Sequence, residues 1–241
     1  MRPMWEKILC TTAVLAVGGT LYKTLPLIRI RPQKERLIKG KRYIACIGDS
    51  ITFGAGVTWH RKRKAWPYVL NRLLGDSFQV LNYGISGATA LLDSETVFKE
   101  HDFLEDAFSA CPELILMMLG TNDAKTVNWK PREFRRDYTL MIDRIRKGTP
   151  DALLVLMTPP STYPEKKTGL VACGIDGKIV HEQAVPAVRE IAKQQSLPLI
   201  DLHSFMDGHP DWFGDGVHPN AEGNRQIAGY ILEAINGMLA A

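Results

Sequence analysis

Ser50 stands where an apolar run, Tyr43-Ile-Ala-Cys-Ile47, gives way to Gly48-Asp-Ser-Ile-Thr-Phe-Gly54. A serine at such a boundary can attack a carbonyl, provided that a base removes its proton. Asp215-Gly-Val-His218 supplies the base and its orienting acid. His218 would take the proton, and Asp215, three residues earlier, would hold the imidazole in one tautomer and stabilise its cation. The oxyanion formed when Ser50 adds to an ester also needs hydrogen-bond donors. The candidates are the backbone amide of Ser50, the backbone amide of Gly84 in Asn82-Tyr-Gly-Ile-Ser-Gly87, and the side-chain amide of Asn122 in Gly120-Thr-Asn-Asp123. Gly84 has no side chain and so permits close approach. Together these residue types suit acyl transfer to water.

The elements that must position them follow from the hydrophobic pattern. Tyr43 to Ile47, Phe78 to Leu81, Leu114 to Leu119, Leu153 to Met157 and Leu197 to Leu202 are short apolar runs bounded by Gly, Pro, Asn or Asp, and read as buried strands. Between them, Trp66 to Leu74, Ser94 to Phe108, Pro131 to Arg146, Glu182 to Gln195 and Ala221 to Leu239 carry apolar residues at helical spacing. Alternation of this kind predicts an α/β domain: three α/β/α layers around a five-stranded parallel sheet. Ligands bind such a sheet outside the carboxyl ends of its strands. Ser50, Gly84 and Asn122 follow the first, second and third runs, and Asp215 and His218 follow the fifth, so all five can meet at one edge.

Rival motifs are weaker. Gly84-Ile-Ser86-Gly87-Ala88 approaches a G-x-S-x-G nucleophile elbow but ends in Ala88, which leaves Ser86 as a loop hydrogen-bonder. Gly54-Ala-Gly56 lacks the third glycine of a dinucleotide fingerprint, and no Walker-type Gly-Lys-Ser/Thr is present, so no cofactor is expected. Asp201, His203, Asp207, His209, Asp211, Asp215 and His218 form a polar cluster without a metal-binding signature, and read as a solvated loop holding one catalytic pair. Asp49 and Asp123 suit bonds to loop amides. His60, His101 and His181 read as surface residues; Trp129, Tyr163, Trp212 and Phe213 are candidates for pocket wall or core.

At 241 residues, 45% of them hydrophobic, the chain can bury a full core without staples, and its four cysteines show no paired spacing. The net charge of +4 is unevenly distributed. Residues 1–42 hold ten Lys or Arg against Glu6 and Glu35, a net of +8, which leaves 20 basic and 24 acidic residues, a net of −4, in 43–241. An acidic body does not suit nucleic acid. The basic arm contains Ile8 to Tyr22, an apolar stretch of 15 residues that reads as a signal-peptide core or a membrane anchor. The basic residues beyond Lys23 favour the cytoplasmic side if it is an anchor. We therefore divide the chain into a membrane-directed segment and linker, 1–42, and a hydrolase domain, 43–241.

Gly48-Asp-Ser50, Gly84, Gly120-Thr-Asn122-Asp and Asp215-Gly-Val-His218, in that order, resemble the blocks of the SGNH hydrolases, also called the GDSL lipase and esterase family. The resemblance implies Ser50, Gly84, Asn122 and His218 as the family-defining residues, Asp215 as third member of the triad, and a flavodoxin-like strand order. Residues 120–129, 157–160 and 215–220 are similar to members assigned to sialate O-acetylesterases and other carbohydrate deacetylases. That implies a serine esterase acting on short acyl groups, O-acetyl on a carbohydrate. A lysophospholipase or arylesterase of the same family is the alternative, and a noncatalytic carbohydrate- or lipid-binding module a third.

Overall fold

A computed structural model of the protein describes residues 35–94, 102–164 and 171–239. Five strands, β1 (Arg42–Gly48), β2 (Phe78–Gly84), β3 (Leu114–Met118), β4 (Leu153–Met157) and β5 (Leu199–Ile200), form one sheet in the order β2-β1-β3-β4-β5. Every pairing is parallel. Parallel strands are covered on both faces, which is why β3, Leu-Ile-Leu-Met-Met, is apolar at every position and wholly buried.

The two faces carry different helices. Ala45, Ile47, Leu81, Tyr83, Ile115, Met117, Leu154 and Leu156 point to one face, where they meet α2 (Asp102–Ser109), α3 (Pro131–Gly148) and α4 (Val185–Gln194). Ile44, Cys46, Val80, Leu116, Met118, Val155 and Met157 point to the other, against α1 (Trp66–Leu74) and α5 (Ala221–Leu239). The expected α/β/α sandwich with flavodoxin-like order is thus present. In α3 a proline opens the first turn, where its missing N–H costs nothing, and Phe134, Tyr138, Met141, Ile142 and Ile145 form the buried stripe.

Three elements differ from the sequence reading. β2 runs on to Gly84, in register with Gly48 of β1, so the loop after it begins at Ile85. β5 is only two residues long, because Asp201 leaves the sheet to cap a short helix, Leu202–Met206, accepting from the Ser204 amide. A π-helical stretch, Val180–Ala184, precedes α4, so helical structure starts before Glu182. The basic run Arg61–Lys64 forms a helical turn in which Arg61 is buried and donates from Nε to the Phe53 carbonyl at 2.8 Å. Residues 95–101 of the expected helix from Ser94, and the apolar segment Ile8 to Tyr22, lie outside the described residues, whereas the second half of that helix is α2. Among the described residues no helix is long and apolar enough to cross a membrane.

Candidate active site

The chain turns from β1 to β2 on one side and to β3 on the other, so the end of β1 is a switch point of the sheet, where a crevice opens. Ser50 sits there. Asp49 is extended (φ −96°, ψ −150°) and its Oδ1 accepts from Ile51 N at 2.8 Å, which caps a one-turn helix, Ser50–Phe53. Gly54 closes the turn in the left-handed conformation (φ 96°), its amide donating to the Ser50 carbonyl at 2.9 Å. The nucleophile candidate is therefore fixed at both ends of its turn.

Asp215 and His218 arrive from a loop 168 positions further along the chain. Ser50 Oγ lies 2.9 Å from His218 Nε2, and His218 Nδ1 lies 2.7 Å from Asp215 Oδ2. The other carboxylate oxygen of Asp215 accepts from the amides of Val217 (3.0 Å) and His218 (2.7 Å). Burial alone would raise the Asp215 pKa, but the hydrogen bonds and charge of His218 and the two amides outweigh it and hold the carboxyl at about 2. Asp215 is thus an anion at any ordinary pH. An imidazole set between that anion and a hydroxyl can draw off the hydroxyl proton. The imidazole bonds Ser50, not Ser86, which is half-buried in the loop after β2.

Asn122, buried in the loop after β3, directs Nδ2 to the Ala88 carbonyl at 3.2 Å and to Asp49 Oδ2 at 3.5 Å. The second contact is at the outer limit of a hydrogen bond, so one N–H is only loosely held. Asn128 Nδ2 donates to the Asn122 carbonyl at 3.2 Å and steadies the residue from outside.

Gly84 does not occupy the position expected of an oxyanion donor. Its amide donates to Asn82 Oδ1 at 3.0 Å, inside β2, and a Cβ on it would overlap the backbone of Phe53. It is a spacer that lets β2 lie against the Ser50–Phe53 turn. Gly87, three residues on, lies in the loop proper with φ +83°, half-buried, and its amide has no acceptor among the described residues. The sequence reading stopped β2 at Leu81 and so took the first glycine after it. The signal for Gly87 was its place in Ser86-Gly87 beyond the true strand end.

Two further carboxylates lie fully buried beneath these loops. Asp123 accepts from the amides of Ala90 (3.0 Å) and Leu91 (2.8 Å), holding the loop that follows Gly87. Burial pushes Asp123 up to about 7 and Asp49 up to about 6. The remaining acidic and histidine residues of the polar cluster disperse. Asp201 pairs with Arg189 (2.8 Å), His203 meets His181 (3.2 Å), and His209 stacks on Trp212 with ring centroids 3.8 Å apart. Among the described residues no three such groups converge as metal ligands. Trp129 packs on Phe134 and donates to Gln183 at 2.7 Å, and Tyr163 packs on Phe213. His60 is exposed, and His101 lies outside the described residues.

The model of the GDSL-like lipase/acylhydrolase family matches residues 46–226, from the middle of β1 into α5. The chain belongs to this family. Membership places it among the carboxylic ester hydrolases. The chain is similar to an acetylxylan esterase of Xylanibacter ruminicola, 34% identical over 237 residues, 90% of this chain and 46% of that protein. A multidomain esterase of Ruminococcus flavefaciens is 30% identical over 131 residues, 54% of this chain and 16% of that protein. The chain thus spans less than half the length of these curated relatives. Among solved structures, a carbohydrate acetylesterase family member from Sinorhizobium meliloti shares the fold at a TM-score of 0.66 and 23% identity, over 83% of this chain and all of that one. The native aryl esterase of M. smegmatis does so at 0.64 and 21%, over 81% and 99%.

Proposed function

We propose that the protein hydrolyses short acyl esters, O-acetyl groups on carbohydrate hydroxyls, with Ser50, His218 and Asp215 as its catalytic triad. The observation that carries this reading is the unbroken series of hydrogen bonds from Ser50 Oγ through the His218 ring to Asp215. His218 Nε2 takes the Ser50 proton as Oγ adds to the ester carbonyl, and the oxyanion is met by the amides of Ser50 and Gly87 and by the loosely held N–H of Asn122. The tetrahedral adduct collapses, His218 returns the proton to the leaving sugar oxygen, and an acetyl-serine remains. Water, deprotonated by the same imidazole, adds to it and releases acetate and free Ser50.

The acetyl-sugar assignment rests on the loop motifs around Asn122 and His218 and on the acetylxylan esterase likeness. An arylesterase is the second reading, favoured by the shared fold of the M. smegmatis enzyme. A panel of acetylated xylo-oligosaccharides, 4-nitrophenyl esters of increasing chain length and lysophospholipids separates them. Highest kcat/KM on the acetylated sugars supports the proposal; a preference for chains of about eight carbons or more, each buried methylene adding about 0.8 kcal/mol, refutes it in favour of a lipid substrate. No Ser50-dependent hydrolysis of any ester leaves only a binding module. We also assign Ile8 to Tyr22, with its basic flank, as the segment that directs the domain to a membrane.

A further inference from the structure

The loop that carries the acid and the base is nearly self-contained. Gly214 N donates to the His218 carbonyl at 3.0 Å, Phe213 and Pro219 bridge its ends, and Asp215 bonds two of its own amides. The distance between His218 and Ser50 therefore depends on where the whole loop is held, which is done by the burial of Phe213 and Val217, by Asn224 Nδ2 donating to the Pro219 carbonyl at 2.7 Å, and by a set of contacts on the side of β4. One is from Tyr163, in the segment after β4. Its backbone amide donates to the Gly216 carbonyl at 2.8 Å, and Gly216 has φ +82° and lies so close that a Cβ there would overlap the Tyr163 carbonyl oxygen. The Tyr163 ring packs on Phe213, at the start of the loop, with centroids 5.2 Å apart. The hydroxyl is pinned at its far end, donating to the Met206 carbonyl at 2.7 Å and accepting from His209 N at 3.1 Å. Tyr163 thus ties three separate segments together: its own, the one after β5, and the acid–base loop.

We propose that Tyr163 is a positioning residue for ester hydrolysis, acting through Gly216 and Phe213 to hold His218 at bonding distance from Ser50. It touches neither the reacting atoms nor the proton path. On the opposite side the loop rests on Gly56, where a Cβ would overlap the Pro219 carbonyl oxygen, so the base is held between two backbones, that of Gly56 and that of Tyr163. This inference rests on the triad proposed above.

The test uses the full chain and 4-nitrophenyl acetate, with Tyr163→Phe, Tyr163→Ala and Gly216→Ala. Misplacement of a catalytic group by about 1 Å costs on the order of a hundredfold, so Gly216→Ala and Tyr163→Ala should lower kcat by roughly that factor with KM changed less than about twofold. Tyr163→Phe keeps the ring on Phe213 but loses the hydroxyl anchor, and should fall between wild type and Tyr163→Ala. Fluorophosphonate labelling of Ser50 should slow in the same order. Tm is measured alongside. Wild-type kcat in both Tyr163→Ala and Gly216→Ala overturns the proposal, as does a loss of rate that merely follows the fraction unfolded. If Tyr163→Ala fails to fold, Tyr163→Phe and Gly216→Ala decide. Absence of Ser50-dependent turnover in the wild type would instead refute the triad itself, so the two failures are told apart.

Discussion

At the scale of single residues, the site separates groups that react from groups that hold. Ser50→Ala should abolish ester hydrolysis with Tm unchanged, whereas Ser86→Ala should keep most activity, since the imidazole faces only the first of these serines. Asp215→Asn should lower kcat by up to about 10⁴-fold, because the amide can favour the wrong imidazole tautomer. Asn122→Ala should cost about 2.7–4 kcal/mol of transition-state stabilisation, read as a loss of kcat with KM little changed. The two glycines make a sharper comparison: Gly84→Ala should lower Tm by driving β2 off the Phe53 backbone, and that result would separate spacing from catalysis. The buried carboxylates give a pH test. Asp123 titrates near 7 in the fold against 3.8 in its ordinary state, so the native protein binds the extra proton. Its ionisation therefore takes nothing from stability below pH 3.8, and stability should fall as pH rises from there through about 7. Asp123→Asn should flatten that part of the Tm–pH curve. Asp215, held at about 2, works in the opposite sense: its contribution is complete above its ordinary value of 3.8 and is lost as pH falls towards 2.

The elements explain which parts of this site the sequence could disclose. β3 and β4 were legible because both faces of a central parallel strand are buried, which leaves an uninterrupted apolar run. β5 was over-read: Leu197 to Leu202 is apolar enough for a strand, but Asp201 prefers to cap a helix, and that competition is decided by Ser204 and Arg189 rather than by the run itself. β2 was under-read because Asn82-Tyr-Gly has the composition of a turn, although Asn82 Nδ2 in fact donates to the Thr52 carbonyl at 2.9 Å and keeps the strand going. That shift of three residues is what exchanged Gly84 for Gly87. The pairing of Asp215 with His218 was legible because it is local, while the contact of His218 with Ser50 is a product of the whole topology. α3 offers a test at this scale. Phe134 is fully buried between Trp129 and Tyr138 and lies where a Cβ on Gly120 would meet it, so Phe134→Ala should cost about 3–5 kcal/mol in a urea titration and loosen the Asn122 loop that follows Gly120.

For the molecule as a whole, the chain before β1 is partly built into the domain. Glu35 bonds the Tyr68 hydroxyl, Ile38 N donates to Gln79 Oε1 at 2.8 Å, and the Tyr43 hydroxyl donates to the Ile38 carbonyl at 2.8 Å. A boundary at residue 42 therefore cuts through real contacts. Removal of residues 1–34 should leave kcat/KM and Tm unaltered, whereas removal of 1–41 should lower Tm; equal stability of the two truncations would show that residues 35–41 contribute nothing.

The proposed acid and base, Asp215 and His218, are three residues apart and bond one another within a single loop. Their mutual alignment therefore travels with them. Were residues 213–219 to lift as a body, drawing the buried Phe213 and Val217 with them, His218 would part from Ser50 while keeping its bond to Asp215, and closing the loop would restore the arrangement in one motion. Heat inactivation below the melting point should accordingly be reversible on cooling and uniform across substrates, since what is lost is the drive for proton transfer and not the shape that recognises an ester.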